Sequence, residues 1–121
     1  MPKKLSELEV YILSEELSNH IWSIVKQWPY FEKITVGNQL VRAADSISAN
    51  IAECHGRYHY KDKQKFGYYA RGSFEETKSW IRKCYIRKLL NKNQLMITKS
   101  YVNKIGPRLN SLINTFRNPR I

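Results

Sequence analysis

The 121 residues, 42% of them apolar, suffice for one domain that closes a hydrophobic core without disulfides or metals. The chain contains only 5 Gly and 4 Pro, which argues against a turn-rich all-β fold. It has no apolar run near the ~18 residues that a membrane span needs, which argues against a membrane protein. The net charge of +11 indicates an anionic partner, most simply nucleic acid, although a solvated basic surface has the same composition. We therefore expect one soluble, largely helical domain over residues 1–121.

The basic charge is concentrated in the second half of the chain. Residues 1–56 contain five Lys and Arg against seven Asp and Glu, whereas residues 57–121 contain sixteen against three. The two halves therefore have net charges of −2 and +13. Such an asymmetry favours a surface that neutralises phosphates in the second half.

The residues that report on the compartment point to the cytoplasm. The first residues, Met-Pro-Lys-Lys, lead directly into a charged amphipathic segment and do not resemble an export signal. Cys54 and Cys84 both fall inside helical patterns, which favours free thiols. We expect a reducing, cytoplasmic environment.

The first predicted helix spans about residues 5–28. Its apolar residues recur at spacings of 3 and 4, the period of a helix with one buried face: Val10, Leu13, Leu17, Ile21, Ile24 and Trp28. Pro29 ends the helix because it has no N–H to donate and disfavours helix in the residue before it. Residues 30–35 are expected to form a connection.

The second predicted helix, about residues 36–56, has an apolar and a polar stripe side by side. The apolar stripe has Ala43 on its flank and comprises Leu40, Ala44, Ile47 and Ile51. The polar stripe follows spacings of 7, 4, 3 and 4 and comprises Gln39, Ser46, Asn50, Glu53 and Arg57. Gly56 is expected to end the helix in the left-handed conformation that glycine adopts readily.

A basic, aromatic loop follows, with the sequence Arg57-Tyr58-His59-Tyr60-Lys61. Cations interleaved with aromatic rings can hold phosphates while unpaired bases stack on the rings. In the alternative interpretation, Tyr58 and Tyr60 close the end of the helix bundle and the lysines face water. Asp62 is the expected N-cap of the next helix.

The third predicted helix spans about residues 63–90. Its expected buried face comprises Phe66, Ala70, Ser73, Thr77, Ile81 and Cys84. A second stripe alternates by 4 and 3, as in a helix–helix seam, and comprises Tyr69, Ser73, Glu76, Trp80, Lys83 and Arg87. Arg71, Lys78 and Arg82 lie on the opposite, outward face, which meets either solvent or a nucleic-acid backbone.

The fourth predicted helix spans about residues 94–116 after a turn at residues 91–93. Its apolar register comprises Tyr101, Ile105, Leu109, Leu112 and Phe116. Pro107, which follows Gly106, is expected to kink the helix or split it in two, and residues 117–121 are expected to fray. Four amphipathic helices with short connections predict an all-α, antiparallel up-down-up-down four-helix bundle.

Helices two and three together resemble a known family. The matching residues are Gln39-Leu40, Ala44, Ser46-Ile47, Asn50-Ile51-Ala52-Glu53, Gly56-Arg57, Phe66, Ala70-Arg71-Gly72-Ser73 and Glu76. This order resembles the bacterial four-helix bundle family that includes proteins encoded within intervening sequences of large-subunit ribosomal RNA genes. That family is related to the accessory variability determinants of diversity-generating retroelements. Cys54 departs from the family pattern, which usually has glycine there.

The resemblance implies an assembly and a set of partners. Family members look like homopentamers that enclose a central channel. The retroelement relatives bind nucleic acid and a reverse transcriptase, so the resemblance implies RNA or DNA as a partner, and a nucleic-acid-processing protein as a further one. No cofactor is expected.

The polar groups of helices two and three have two compatible interpretations. In the structural one, they form hydrogen bonds between helices or protomers that fix register and assembly. This assembly network comprises Gln39, Ser46, Asn50, Glu53, Arg57, Ser73 and Glu76. In the functional one, a ring of subunits presents Arg57 and the lysines after it as a multivalent basic surface.

The residue pattern does not indicate an enzyme or a metal site. Glu53 and Glu76 could face one another across two helices, but a di-metal bundle needs Glu-x-x-His motifs, and the sequence contains none. Cys54, His55 and His59 are close in sequence, as zinc ligands often are. Adjacent side chains on a helix diverge by about 100°, however, so these three are not expected to converge on one zinc ion. His20 is interpreted as a structural histidine.

These observations predict a non-catalytic, oligomeric accessory protein that binds the phosphate backbone of structured RNA or DNA. The expected binding residues are Arg57, Tyr58, Tyr60, Lys61, Lys63, Lys65, Arg71, Lys78 and Arg82. The alternative is a protein-interaction scaffold that docks a protein or nucleoprotein partner.

Overall fold

Four long helices account for most of the computed structural model, which describes residues 3–117. A short 3-10 turn, Leu5–Glu7, precedes them, and the four helices are α1 (Glu9–Val25), α2 (Asn38–Gly56), α3 (Tyr60–Ile86) and α4 (Lys92–Thr115). Neighbours in sequence pack together, and α4 returns to pack against α1. No strand occurs in this range. The predicted four-helix bundle is confirmed.

The segment after α1 is helical and not the connection that the sequence predicts. Tyr30–Glu32 forms a helical turn, and Lys33–Gly37 continues it as a π-helical turn that leads directly into α2. Gly37 explains the close packing here, because a Cβ at this position would lie 2.7 Å from Cγ1 of Val25 on α1. The wider π turn places the glycine at the point of closest approach.

The predicted caps of α2 and α3 are wrong. In the described chain no glycine has a positive φ, and Arg57, the residue after Gly56, is extended. The end of α2 is instead held by Lys63, whose Nζ donates to the carbonyl oxygens of Cys54 at 3.3 Å and His55 at 3.0 Å. A cation at a helix C-terminus complements the helix dipole, so no left-handed cap is required.

Both ends of α3 also differ from prediction. The helix begins at Tyr60, three residues before the predicted start, with His59 rather than Asp62 at the N-cap position. It ends at Ile86 rather than residue 90, because Lys88 adopts a left-handed conformation with φ 63°. A lysine in this conformation gives no signal in a sequence.

Helix α4 is continuous through Pro107, so the predicted split does not occur. Its start is fixed by reciprocal hydrogen bonds: the Gln94 backbone N–H donates to Asn91 Oδ1 at 2.7 Å, and the Asn91 N–H donates to Gln94 Oε1 at 2.9 Å. Arg117 follows the helix in a turn. The rest of the tail predicted to fray, residues 118–121, lies outside the described residues.

The predicted apolar stripes form the core, with local exceptions. The most deeply buried side chains include Leu17, Leu40, Ile47, Ile51, Ile105 and Leu109. Phe66, predicted to be buried, is only half-buried, and Phe74 is buried in the core instead. Gly67 and Ile113 were missed: a Cβ at Gly67 would lie 3.1 Å from Cγ1 of Ile113, so α3 and α4 approach closely there.

Candidate nucleic-acid interface

The three predicted cations of α3 lie on one side of the helix, beside α4. Arg71, Lys78 and Arg82 are separated by 7 and 4 residues, so they point in the same direction, and all three are exposed. The outermost two are about 16 Å apart along the helix axis. The sequence prediction of an outward basic face on this helix therefore agrees with the structure.

The facing side of α4 presents a second polar stripe, which the sequence analysis missed. Its members follow spacings of 4, 7, 4 and 3, are all exposed, and comprise Lys99, Asn103, Asn110, Asn114 and Arg117. The same spacing is present in the sequence, but the apolar register dominates the pattern of this helix, and asparagines interleaved with it give a weak signal.

The two helices enclose a continuous surface depression, which we call the α3–α4 groove. It consists of two cavities of about 1000 and 510 Å³ that share Lys78, Val102 and Asn103. The two polar stripes line its sides. The base of the groove is apolar and includes Phe74, Ile81, Leu95, Val102 and Leu109.

The groove is strongly electropositive. Glu75 lines it and lies 3.2 Å from Nζ of Lys78, in an exposed ion pair that is weak in water. The ion pairs found among residues 3–117 do not involve the other groove cations, Arg71, Arg82, Lys99 and Arg117. A nearby anion would therefore meet several uncompensated positive charges.

The basic loop before α3 divides into groups with different roles. Nε and Nη2 of Arg57 donate to Oε2 of Glu53 at 3.2 and 3.0 Å, and the guanidinium lies 4.5 Å from the centre of the Phe66 ring. Lys63 donates to the carbonyl oxygens at the end of α2, as described above. Lys61 and Lys65 are exposed, although Lys65 also lies 5.9 Å from the Phe66 ring.

The two loop tyrosines are not equivalent. Tyr60 packs near the end of the bundle, with its ring centre 5.9 Å from that of Phe116. Tyr58 is 89% exposed, and its ring lies perpendicular to that of His59, with 5.0 Å between the ring centres. Tyr60 therefore agrees with the packing interpretation, whereas Tyr58 is available for stacking. Phe116 precedes Arg117, so the loop adjoins one end of the α3–α4 groove.

The assembly network has no interhelical hydrogen bond within the described chain. Asn50 Nδ2 donates to the Ser46 carbonyl, and Ser46 Oγ donates to the Arg42 carbonyl. On α3, Trp80 Nε1 donates to Oε2 of Glu76 at 3.2 Å, and the Ser73 carbonyl accepts from Thr77. Gln39 is exposed. The bonds that these groups form all join residues four positions apart in the chain, and contacts between protomers stay a prediction.

The described residues contain no cluster of three or more His, Cys, Asp or Glu that could hold a metal ion. Cys54 is buried, and burial raises the pKa of its thiol. His55 Nε2 lies 2.9 Å from the Lys3 carbonyl. Glu53 and Glu76, the two carboxylates that could face one another, are paired with Arg57 and Trp80 as described above.

A second exposed feature lies around the π-helical turn and was not predicted. Trp22 is 57% exposed and Phe31 is 70% exposed, and Ile34 lines two cavities of about 320 and 650 Å³. We call Trp22, Phe31 and Ile34 the apolar ridge. The cations that line the same cavities are Lys26, Lys33, Lys83 and Arg87.

Within residues 3–117, no helix has the length and apolarity needed to cross a membrane.

Comparison with known proteins identifies the family. The family model for the 23S rRNA-intervening sequence protein matches residues 6–111. Among solved structures, the chain is similar to a protein of unknown function from the S23 ribosomal protein family of Bacteroides thetaiotaomicron, with a TM-score of 0.80 and 23% identity over 88% of this chain and 96% of that chain. No curated protein matches. Because the family model covers most of the sequence, the chain belongs to the 23S rRNA-intervening sequence protein family, as its resemblance predicts.

Proposed function

We propose that this protein is a non-catalytic, oligomeric accessory protein that binds nucleic acid through the α3–α4 groove and the adjoining loop. One observation supports this most strongly: the exposed cations of α3 face a polar stripe on α4, and the only carboxylate among the groove-lining residues, Glu75, is already paired. Membership of a family named for intervening sequences in 23S rRNA makes structured RNA the first ligand to test.

Binding at this surface is driven by phosphate neutralisation. Each Lys or Arg that replaces a counterion contributes to an affinity that falls with salt, by about 0.9 in log–log slope per contact on duplex DNA and about 0.7 on a single strand. Arg71, Lys78 and Arg82 supply one row of such contacts in the groove. Lys61 and Lys65 do not line the groove and add exposed positive charge near the loop. In a homopentamer, which the family resemblance implies, repeated copies of this surface would raise the avidity.

The test is a filter-binding titration of a structured RNA at low and moderate salt. Lys78→Glu/Arg82→Glu should weaken binding at least tenfold, because it introduces two carboxylates into the groove. A matched charge reversal outside the groove, Lys26→Glu/Arg42→Glu, changes the net charge equally and should have a much smaller effect. Equal losses in both variants, or no binding by the native chain at low salt, would refute the proposal.

The apolar ridge favours a second candidate function, the docking of a protein partner. Trp22, Phe31 and Ile34 expose large apolar side chains beside two cavities, which is typical of a surface that another protein covers. The flanking cations favour a partner with acidic side chains around an apolar centre. A pull-down after nuclease treatment distinguishes the functions: a partner lost from Phe31→Ser/Ile34→Ser but kept by Lys78→Glu/Arg82→Glu supports docking.

A further inference from the structure

We infer that the α3–α4 groove takes an unpaired nucleic-acid strand, with bases in the middle of the groove and phosphates at its cationic sides and ends. This inference rests on the proposed function and specifies its ligand. This inference goes beyond phosphate binding because the centre of the α4 side of the groove is uncharged. That centre contains side-chain amides, which phosphate binding does not require.

The distribution of charge along α4 is the first observation. On the α4 side, the groove-lining cations are Lys99, two turns into the helix, and Arg117, just after the helix ends. The residues between them that line the groove are uncharged. Arg108 does not line the groove, because its Nη2 lies 3.1 Å from Oε1 of Glu9 on α1 and its Nη1 donates to the Lys104 carbonyl. A duplex backbone, which presents only phosphate and sugar, gains little from this neutral centre.

The chemistry of the neutral centre is the second observation. Asn103, Asn110 and Asn114 are exposed and line the groove, and each amide has both donors and acceptors. Amides of this kind pair with the edges of bases, as Asn does with adenine. An amide oxygen accepts from the amino groups of bases and gains nothing from phosphate, so these side chains favour base edges.

The apolar and aromatic surface of the groove is the third observation. Val102 at its base is only half-buried, and Tyr85 at its edge is 43% exposed. Outside the two cavities, the exposed ring of Tyr68 lies 5.8 Å from the Arg71 guanidinium and provides a further aromatic surface beside the groove. Base faces stack on such surfaces only when they are unpaired. A groove between helices whose axes lie about 8–10 Å apart also admits one strand more readily than a duplex.

The experiment compares one labelled 15-nucleotide RNA of mixed sequence as a single strand and annealed to its complement, by fluorescence anisotropy on the full chain. We expect the single strand to bind at least tenfold more tightly. Asn110→Ala/Asn114→Ala should reduce single-strand affinity about tenfold, from lost base contacts, with an unchanged salt slope and unchanged duplex binding. Both residues are exposed on a helix, where Ala is favourable, so the variant should fold.

Two further variants separate the outcomes. Lys78→Ala/Arg82→Ala should lower the single-strand salt slope by about 1.4 and weaken both RNA forms. Asn19 is an exposed asparagine on α1, and Asn19→Ala should change neither the salt slope nor the affinity for either RNA form. Equal binding of single strand and duplex, or a single-strand preference that survives Asn110→Ala/Asn114→Ala, overturns this inference and leaves phosphate binding intact. Failure of the native chain to bind either RNA form overturns the proposed function itself.

Discussion

Gly37→Ala should destabilise the protein, although alanine is the better helix former. Gly37 has φ −60° and ψ −45°, a helical conformation that alanine adopts without strain. Its added methyl group, however, would lie 2.7 Å from Cγ1 of Val25, 3.0 Å from the Glu32 carbonyl oxygen and 3.3 Å from Cε3 of Trp28. Val25 is β-branched within a helix, so its rotamer gives way reluctantly.

The magnitude follows from two opposing terms. Overpacking of this kind costs about 1–3 kcal/mol, while replacing a helical glycine by alanine gains about 0.5–1 kcal/mol. The two ranges combine to a net loss of about 0–2.5 kcal/mol, centred on about 1 kcal/mol, which corresponds to a fall in Tm of about 4 °C for a domain of this size. Gly72→Ala is the matched control, because a Cβ there meets nothing within 4 Å. It should raise stability by about 0.5–1 kcal/mol.

Urea denaturation followed by circular dichroism, at one fixed protein concentration, measures both variants. The signs should be opposite. If Gly37→Ala proved as stable as Gly72→Ala, the π-helical turn would not pack against α1 as closely as the structure shows. The explanation for the helical segment at residues 30–37 would then be wrong.

Three other predictions concern buried or paired groups. Burial lowers the pKa of His20 below its usual 6.5, and its Nε2 has no hydrogen-bond partner among the described residues, so the unfolded chain binds more protons. The free energy of unfolding, measured by urea denaturation at several pH values, should therefore fall as pH drops below about 6.5. His20→Gln should remove most of that fall. An unchanged pH profile in this variant would show that His20 is not the group responsible. Burial raises the pKa of Cys84 to about 11 and also raises that of Cys54, so neither thiol should react with a thiol reagent at pH 8 until urea unfolds the chain. Because the Glu53–Arg57 pair is exposed, Glu53→Ala should lower the free energy of unfolding of a monomer by less than about 1 kcal/mol. A loss of oligomer mass in sedimentation would show that Glu53 contacts another protomer. Unchanged mass and melting temperature would refute an assembly role.

The helical core could be predicted from sequence because burial imposes a period. Leu17, Ile47 and Ile105 all lie in stripes with the 3.6-residue repeat, and all three are fully buried. The ends of the helices could not be predicted in the same way. The end of α2 depends on Lys63, which is distant by 8 and 9 residues from the carbonyls that it binds, and local propensity contains no record of that contact.

The candidate site was predictable on one side only. The α3 cations Arg71, Lys78 and Arg82 were identified because they stand opposite an apolar face, so their exposure follows from periodicity. Their position beside Asn103 and Asn110 depends on how α3 packs against α4, which helix periods alone do not determine. The apolar ridge was not predicted because Phe31 and Ile34 belong to a segment interpreted as a connection, which has no helical face.

Chemical-shift mapping by NMR tests the central claim, that the α3–α4 groove binds nucleic acid, most directly. Titration of the isotope-labelled protein with the 15-nucleotide RNA should perturb backbone amides between Arg71 and Arg82 and the side-chain amides of Asn103, Asn110 and Asn114. Amides on the outer face of α1, including Asn19 and Ser23, should stay unchanged. Perturbations confined to the apolar ridge or to α1, or none at low salt, would contradict it.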